Sequence, residues 1–221
     1  MALELGAIFD WDGVVIDSHD QHEKAWFRLA AELGKPFTSE MFVETFGMRN
    51  ETILPEFLKW AEPGDDARIR ELGDYKEELY REVLRETGIE PLPGVVELLQ
   101  QLQGEGIPAA VGSSTSRKNI DTIIEIAGLE GRFAEISAAE DVTQGKPAPD
   151  VFLTAAKKIG REPAACVVFE DAHVGIEAGL RAGMRVVGLA TTHPIESLND
   201  AHMAVNSLEG FGVTELRALF G

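Results

Sequence analysis

Short apolar runs closed by glycine or polar residues alternate along most of this chain with stretches whose apolar positions recur every three to four residues. Leu5 to Phe9, Ile107 to Val111, Ala134 to Ser137, Cys166 to Phe169 and Arg185 to Leu189 are runs of the first kind and predict strands. Stretches of the second kind predict helices over Gly94 to Gln103, opened by Pro93-Gly94, and over Arg117 to Ala127, Asp150 to Ile159 and Val174 to Ala182. Strands alternating with helices imply a parallel, doubly wound sheet. One long block departs from this alternation. Between Ser18 and Thr87 no period of two occurs; Ala25, Trp26, Leu29, Ala30 and Leu33 make one helical stripe that Gly34 and Pro36 end. Further helices are predicted from Ser39 to Phe46, from Asn50 to Ala61 with Pro55 in its early part, and from Asp65 to Thr87, with Pro63-Gly64 separating the last two. The first strand cannot stay unpaired, so it must join the later sheet, and the helical block is an insertion. The predicted fold is α/β: a doubly wound, Rossmann-like parallel-sheet core of residues 1–17 and 88–221, interrupted by an all-helical domain at 18–87.

Four predicted strand ends carry polar residues suited to chemistry on a phosphate. Asp10 and Asp12 follow the first strand in Phe9-Asp10-Trp11-Asp12-Gly13, at the carboxyl end, where open α/β sheets place ligands. Spacing by two would point both side chains the same way if the strand persists. Two like charges held together raise each other's pKa, and a divalent cation neutralises them simply. Gly112-Ser113-Ser114-Thr115-Ser116-Arg117 offers small residues and hydroxyls for phosphate oxygens, and serves equally well as a helix cap. Gly145-Lys146-Pro147-Ala148-Pro149-Asp150 puts a lysine in a loop stiffened by two prolines. Val168-Phe169-Glu170-Asp171 repeats the opening logic, an apolar strand ending in carboxylates that burial would penalise unless solvent or a metal compensates them.

Charge narrows the partners. With 38 acidic against 20 basic residues, the formal net charge of −18 argues against nucleic acid and against an anionic membrane surface. It leaves an anionic substrate open, because charges beyond about 8 Å are largely screened at physiological salt. No run is long and apolar enough to span a bilayer, and Met1-Ala2-Leu3-Glu4 lacks the basic start and apolar middle of a secretory signal, so a cytoplasmic protein is expected. The single cysteine, Cys166, lies inside an apolar run and reads as a buried hydrophobe. A monomer or weak homodimer is expected.

In their order, and with a helical insertion after the first, these four clusters resemble the motifs of the haloacid dehalogenase superfamily across essentially the whole chain, and within it the β-phosphoglucomutase-like branch of phosphatases and phosphomutases. The resemblance implies that the helical block is a cap, that Asp10 attacks phosphorus to form an aspartyl phosphate, and that Asp12 is the general acid and base. It implies that Ser113 and Lys146 hold the transferring phosphoryl group. It also implies a Mg2+ ion bound by Asp10, the backbone carbonyl of Asp12 and the pair Glu170 and Asp171, with Asp171 the favoured direct ligand. The superfamily's dehalogenases attack carbon and usually lack an acid at the Asp12 position, so Asp12 favours phosphate.

For the substrate, the resemblance points to Arg49 in Phe46-Gly47-Met48-Arg49-Asn50, to Lys76, to His22 near the cap crossing, and to Ser114, Thr115 and Arg117 beside the phosphate. Four of these have a plainer alternative: Arg49 can pair locally, Lys76 is flanked by acids, His22 suits a half-buried helix face, and Arg117 can simply begin a helix. His19, His173 and His193 have no assigned role. The mutases carry a serine, lysine, asparagine run beyond the Ser113 position, where this chain has Thr115-Ser116-Arg117. A magnesium-dependent phosphatase acting on a small phosphorylated metabolite, a sugar or polyol phosphate, is therefore expected, ahead of a β-phosphoglucomutase-type mutase and of a non-catalytic binding domain.

Overall fold

All four residues of strand β1, Gly6–Phe9, are buried because the strand runs through the middle of a sheet. In the computed structural model, which describes residues 4–221, β1 pairs in parallel with β2 (Ala109–Gly112) on one side. On its other side it pairs with β4 (Cys166–Glu170). With β3 (Glu135–Ser137), β5 (Arg185–Leu189) and β6 (Met203–Val205), the order is β3-β2-β1-β4-β5-β6, and every neighbouring pair is parallel. The chain steps outward from β1 to β2 and β3, then returns to place β4 on the other flank of β1. That reversal makes the carboxyl ends of β1 and β4 a topological switch point, where such sheets open a crevice.

Helices cover both faces of the sheet. Successive residues of a strand point to opposite sides, so Ile8, Ala110, Val168 and Val186 join Phe152 and Ile176 in one buried layer. That layer lies beneath α7 (Asp150–Lys158) and α8 (His173–Arg181). Their neighbours Phe9 and Phe169 stack at 4.6 Å on the opposite side, edge-on to Phe133 and Phe211 respectively. There α5 (Val95–Gly104) packs on β2 and against α9 (Val213–Ala218). Helix α6 (Arg117–Ile126) connects β2 to β3. Cys166 is a buried free thiol, pushed up to about 11 by burial.

The chain divides into two compact units, Met1–Asp17 with Ile89–Gly221, and Ser18–Gly88. The second is all-helical. Its α1 (His19–Leu33) buries Ala25, Trp26, Leu29 and Ala30 and packs on α4 (Asp66–Thr87). Between them lie α2 (Ser39–Thr45), whose cap Thr38 accepts the Met41 N–H, and the single turn α3 (Asn50–Thr52). Asp65 caps α4 by accepting the Arg68 N–H at 3.1 Å.

Two expectations need correction, and two short elements were not anticipated. The stretch from Asn50 to Ala61 is not one α-helix: after α3 it widens into a π-turn, Ile53–Phe57, with Leu58 N–H bonded to the Ile53 carbonyl. Pro55 has no N–H to give an i→i−4 bond, which is the physical reason for the break. Strand β1 ends at Phe9, so the alternation that would align Asp12 with Asp10 does not extend to Asp12. Finally, β6 and α9 carried no recognised signal, because three and six residues are too few for a period to emerge. Among the described residues no helix is long and apolar enough to cross a membrane.

Candidate active site

The strand register sets the site. Phe9 is level with Val111 on β2 and with Phe169 on β4, so Asp10, Ser113, Glu170 and Asp171 all emerge near one edge. The Asp10 N–H donates to the Phe169 carbonyl at 2.9 Å, which ties Asp10 to β4 just beyond the last β1 residue. The chain then turns on itself. The Trp11 carbonyl accepts the N–H groups of Val15 and Ile16, and the Gly13 N–H donates to the Ile16 carbonyl at 2.7 Å. That turn, rather than a continued strand, carries Asp12.

Lys146 lies between two carboxylates. Its Nζ is 2.7 Å from Asp10 Oδ1 and 2.6 Å from Glu170 Oε2, with the lysine side chain 9% exposed. The other Glu170 oxygen accepts the N–H groups of Asp171 and Ala172, at 3.1 and 3.0 Å. Burial, and then the Glu170 charge, push Asp10 up to about 6 against the pull of Lys146. Burial likewise raises Glu170 and Asp171, while Asp10 and Glu170 outweigh burial at Lys146 and hold its ammonium charged. Asp10, Glu170 and Asp171 each offer an oxygen, all within 4.8 Å of one another. Three buried carboxylates facing one ammonium remain short of positive charge. An all-oxygen set of this kind fits a hard divalent cation.

Asp12 lies beside this trio and outside it. Its Oδ2 accepts the Thr115 hydroxyl at 2.9 Å, and the Ser113 hydroxyl accepts the Thr115 N–H at 3.1 Å. Ser113 is buried, its N–H held by the Ser137 carbonyl at 3.0 Å, whereas Ser114 is exposed. Arg117 stands apart: it begins α6, and its Nε donates to Asp121 one turn along at 2.8 Å. His22 and Lys76 meet in the helical unit at 2.6 Å. Arg49 is exposed at the N-cap of α3.

Sequence reasoning missed two supporting residues. The Thr192 hydroxyl donates to Asp171 Oδ2, and the Thr191 hydroxyl donates to the Gly13 carbonyl. Thr191-Thr192 comes one residue after β5, while Ser113-Ser114 comes directly after β2, so a signal of similar kind was present. Close packing here also depends on two glycines. Gly13 has φ +78, in the left-handed region, and a Cβ there would lie 2.1 Å from Asp171 Oδ2. A Cβ on Gly175 would lie 2.0 Å from the Glu170 carboxylate. Gly13→Ala is expected to displace Asp171 and lower turnover about 10²-fold with the fold retained. Steady-state kinetics beside far-UV circular dichroism would check this, and an unchanged kcat would refute it.

Comparison with known proteins agrees with this geometry. The family model described as haloacid dehalogenase-like hydrolase matches residues 6–183. The chain is 34% identical over 218 residues to the 5-amino-6-(5-phospho-D-ribitylamino)uracil phosphatase of Arabidopsis thaliana, covering 97% of this chain and 57% of that protein. It thus spans little more than half the length of that relative. It is 33% identical over 210 residues to hexitol phosphatase A of Escherichia coli K12, covering 95% of this chain and 94% of that one. Among solved structures, β-phosphoglucomutase from Clostridium difficile superposes with a TM-score of 0.82 at 26% identity, covering 99% and 97% of the two chains. With two acidic groups and a lysine converging on the switch point of a parallel sheet, and a helical insertion after the first strand, this chain is an enzyme of the haloacid dehalogenase-like hydrolase family.

Proposed function

We propose that the protein is a magnesium-dependent phosphatase that hydrolyses a small phosphorylated sugar or polyol through an aspartyl phosphate. The observation that carries this reading is Lys146 held between Asp10 and Glu170, with Asp171 completing an acidic trio. Asp10 Oδ attacks phosphorus in line, forming an O–P bond as the bond to the leaving oxygen breaks. Asp12, steadied by Thr115, gives its proton to that leaving oxygen. It then takes a proton from the water that attacks phosphorus, which releases inorganic phosphate and restores Asp10. Lys146 and the Ser113 hydroxyl hold the phosphoryl oxygens as charge builds. Asp10, Glu170, Asp171 and the Asp12 carbonyl would hold the metal ion, which supplies charge neutralisation for the incoming phosphate.

The helical unit serves in this reading as the cap, and His22, Arg49 and Lys76 contact the leaving group. Hydrolysis is favoured over mutase chemistry because Thr115-Ser116-Arg117 stands where the mutases carry a serine, lysine, asparagine run, and water needs no such grip on a distal phosphate to attack the aspartyl phosphate. The family resemblance to hexitol phosphatase A supports the substrate class. Phosphorus NMR tests the whole reading: magnesium-loaded protein is given a sugar and polyol monophosphate panel, with β-glucose 1-phosphate and a trace of glucose 1,6-bisphosphate. Inorganic phosphate is expected to grow and to stop on chelation. Conversion to glucose 6-phosphate without that growth would make the protein a mutase, and silence throughout would overturn the catalytic reading.

A further inference from the structure

The helical unit contains a buried polar cluster whose internal wiring fixes what it can offer a ligand. Lys76 on α4 is 3% exposed, and its Nζ lies 2.6 Å from His22 Nδ1 on α1 and 2.9 Å from Glu77 Oε1. Asn50, at the start of α3, donates its Nδ2 to the same Glu77 oxygen at 2.9 Å. Aromatic rings close the cluster. His22 lies flat on Tyr80 with centroids 3.8 Å apart and planes within 4°, while Lys76 Nζ lies 5.3 Å from the Tyr80 ring and 5.5 Å from that of Trp26.

An ammonium only donates hydrogen bonds. Nδ1 of His22 must therefore present its lone pair to Lys76, and the one proton of a neutral imidazole must sit on Nε2. A protonated His22 would set two donors and two positive charges face to face. The groups facing His22 are Lys76, Glu77 and His19, with the rings of Tyr80 and Phe46. Burial, and then the Lys76 charge, hold His22 well below the usual histidine range. Burial alone would raise Glu77, but the Lys76 charge and the hydrogen bonds from Asn50 and Lys76 outweigh it and bring Glu77 down to about 2.

We propose that Glu77 and Asn50 are positioning residues, anchoring Lys76 so that His22 is locked as the neutral Nε2–H tautomer and donates a hydrogen bond to a neutral oxygen of the leaving group. The reading of His22 as a substrate contact, made above, underlies the second half of this inference. Because Lys76 and Glu77 offset each other, the cluster is a hydrogen-bonding wall for a hydroxyl-bearing sugar or polyol and not a second phosphate clamp. Arg49, exposed and without an ion pair among the described residues, is better placed to meet an anionic group.

Long-range proton–nitrogen correlation NMR on the magnesium-loaded, nitrogen-15-labelled protein reads the tautomer directly, and His22→Gln identifies the His22 signals among the five histidines. His22 is expected to be neutral and protonated at Nε2 even at pH ~6, where an ordinary histidine is largely cationic. Lys76→Met is expected to release a mixture of tautomers. Glu77→Ala and Asn50→Ala are expected to weaken the selection and to raise KM about five- to tenfold with kcat little changed, the size of one lost hydrogen bond. Glu77→Gln, which keeps an acceptor, should recover part of that loss. A wild-type His22 that is cationic or protonated at Nδ1 would overturn the proposal without any variant having to fold. So would wild-type imidazole shifts and KM in both alanine variants. The expected tautomer in a protein that turns over no phosphate ester would uphold the network and overturn the leaving-group contact.

Discussion

Replacing Asp10 by asparagine is expected to cut phosphate release at least about 10⁴-fold, the scale seen when a covalent nucleophile is removed. Asparagine keeps the shape of the side chain and can still accept from Lys146, but its amide cannot form a stable acyl phosphate. Lys146 keeps Glu170 as its charge partner at 2.6 Å, so the variant should fold. Removing one of three clustered carboxylates lowers the negative charge that an incoming phosphate meets, and affinity for the substrate should be kept or improved. Single-turnover phosphate release beside calorimetric binding of the same ester separates the two effects. Turnover near that of the intact protein would remove the covalent mechanism.

The second large effect is expected at Lys146. Lys146→Met leaves Asp10, Glu170 and Asp171 facing one another without the ammonium, in a place where both Asp10 and Glu170 are nearly inaccessible. Breaking a buried pair in this way destabilises by about 3 kcal/mol, and losing a group that offsets transition-state charge lowers kcat by about 10²- to 10³-fold. The destabilisation should depend on pH with a definite sign. Asp10 is already pushed up from 3.8 to about 6 by burial and Glu170, and without the lysine it rises further. A carboxyl whose folded pKa is raised binds more protons folded than unfolded, so its contribution to stability falls as pH climbs from the unfolded value, near 4, through the folded one. The variant's deficit relative to the intact protein should therefore grow from about pH 5 to about pH 8. Urea unfolding of both proteins in the presence of a chelator measures it, and a deficit that is constant or shrinks with pH would contradict the charge argument.

Both predictions concern residues that the sequence brought forward, although the interactions they test were decided elsewhere. Asp10, Lys146 and Glu170 each announced themselves locally, as polar residues at the close of an apolar run or in a proline-stiffened loop. That Lys146 would bridge the other two, rather than face solvent as most lysines do, depends on loops 136 and 24 residues away along the chain meeting at one sheet edge. The Thr192 bond to Asp171 and the Thr191 bond to Gly13 are of the same kind. In the helical unit, the family resemblance implied that His22 and Lys76 both serve a ligand; only the packing of α1 on α4 sets them 2.6 Å apart and brings Asn50 to Glu77.

The sequence by itself determined the strands β1 to β5, the stripe on α1, the long α4, the helical nature of the insertion and the polar clusters at three strand ends and in the loop of Lys146. These are local properties: side-chain period follows from backbone geometry, and polar residues after an apolar run need no distant partner to be recognised. Tertiary structure decided the rest. It placed β4 rather than β3 beside β1, which created the switch point, and it recruited β6 and α9, whose few residues gain their stability from neighbours rather than from propensity. It also set the charge balance at Asp10, because burial and the approach of Glu170 and Lys146 are long-range events that no local pattern encodes.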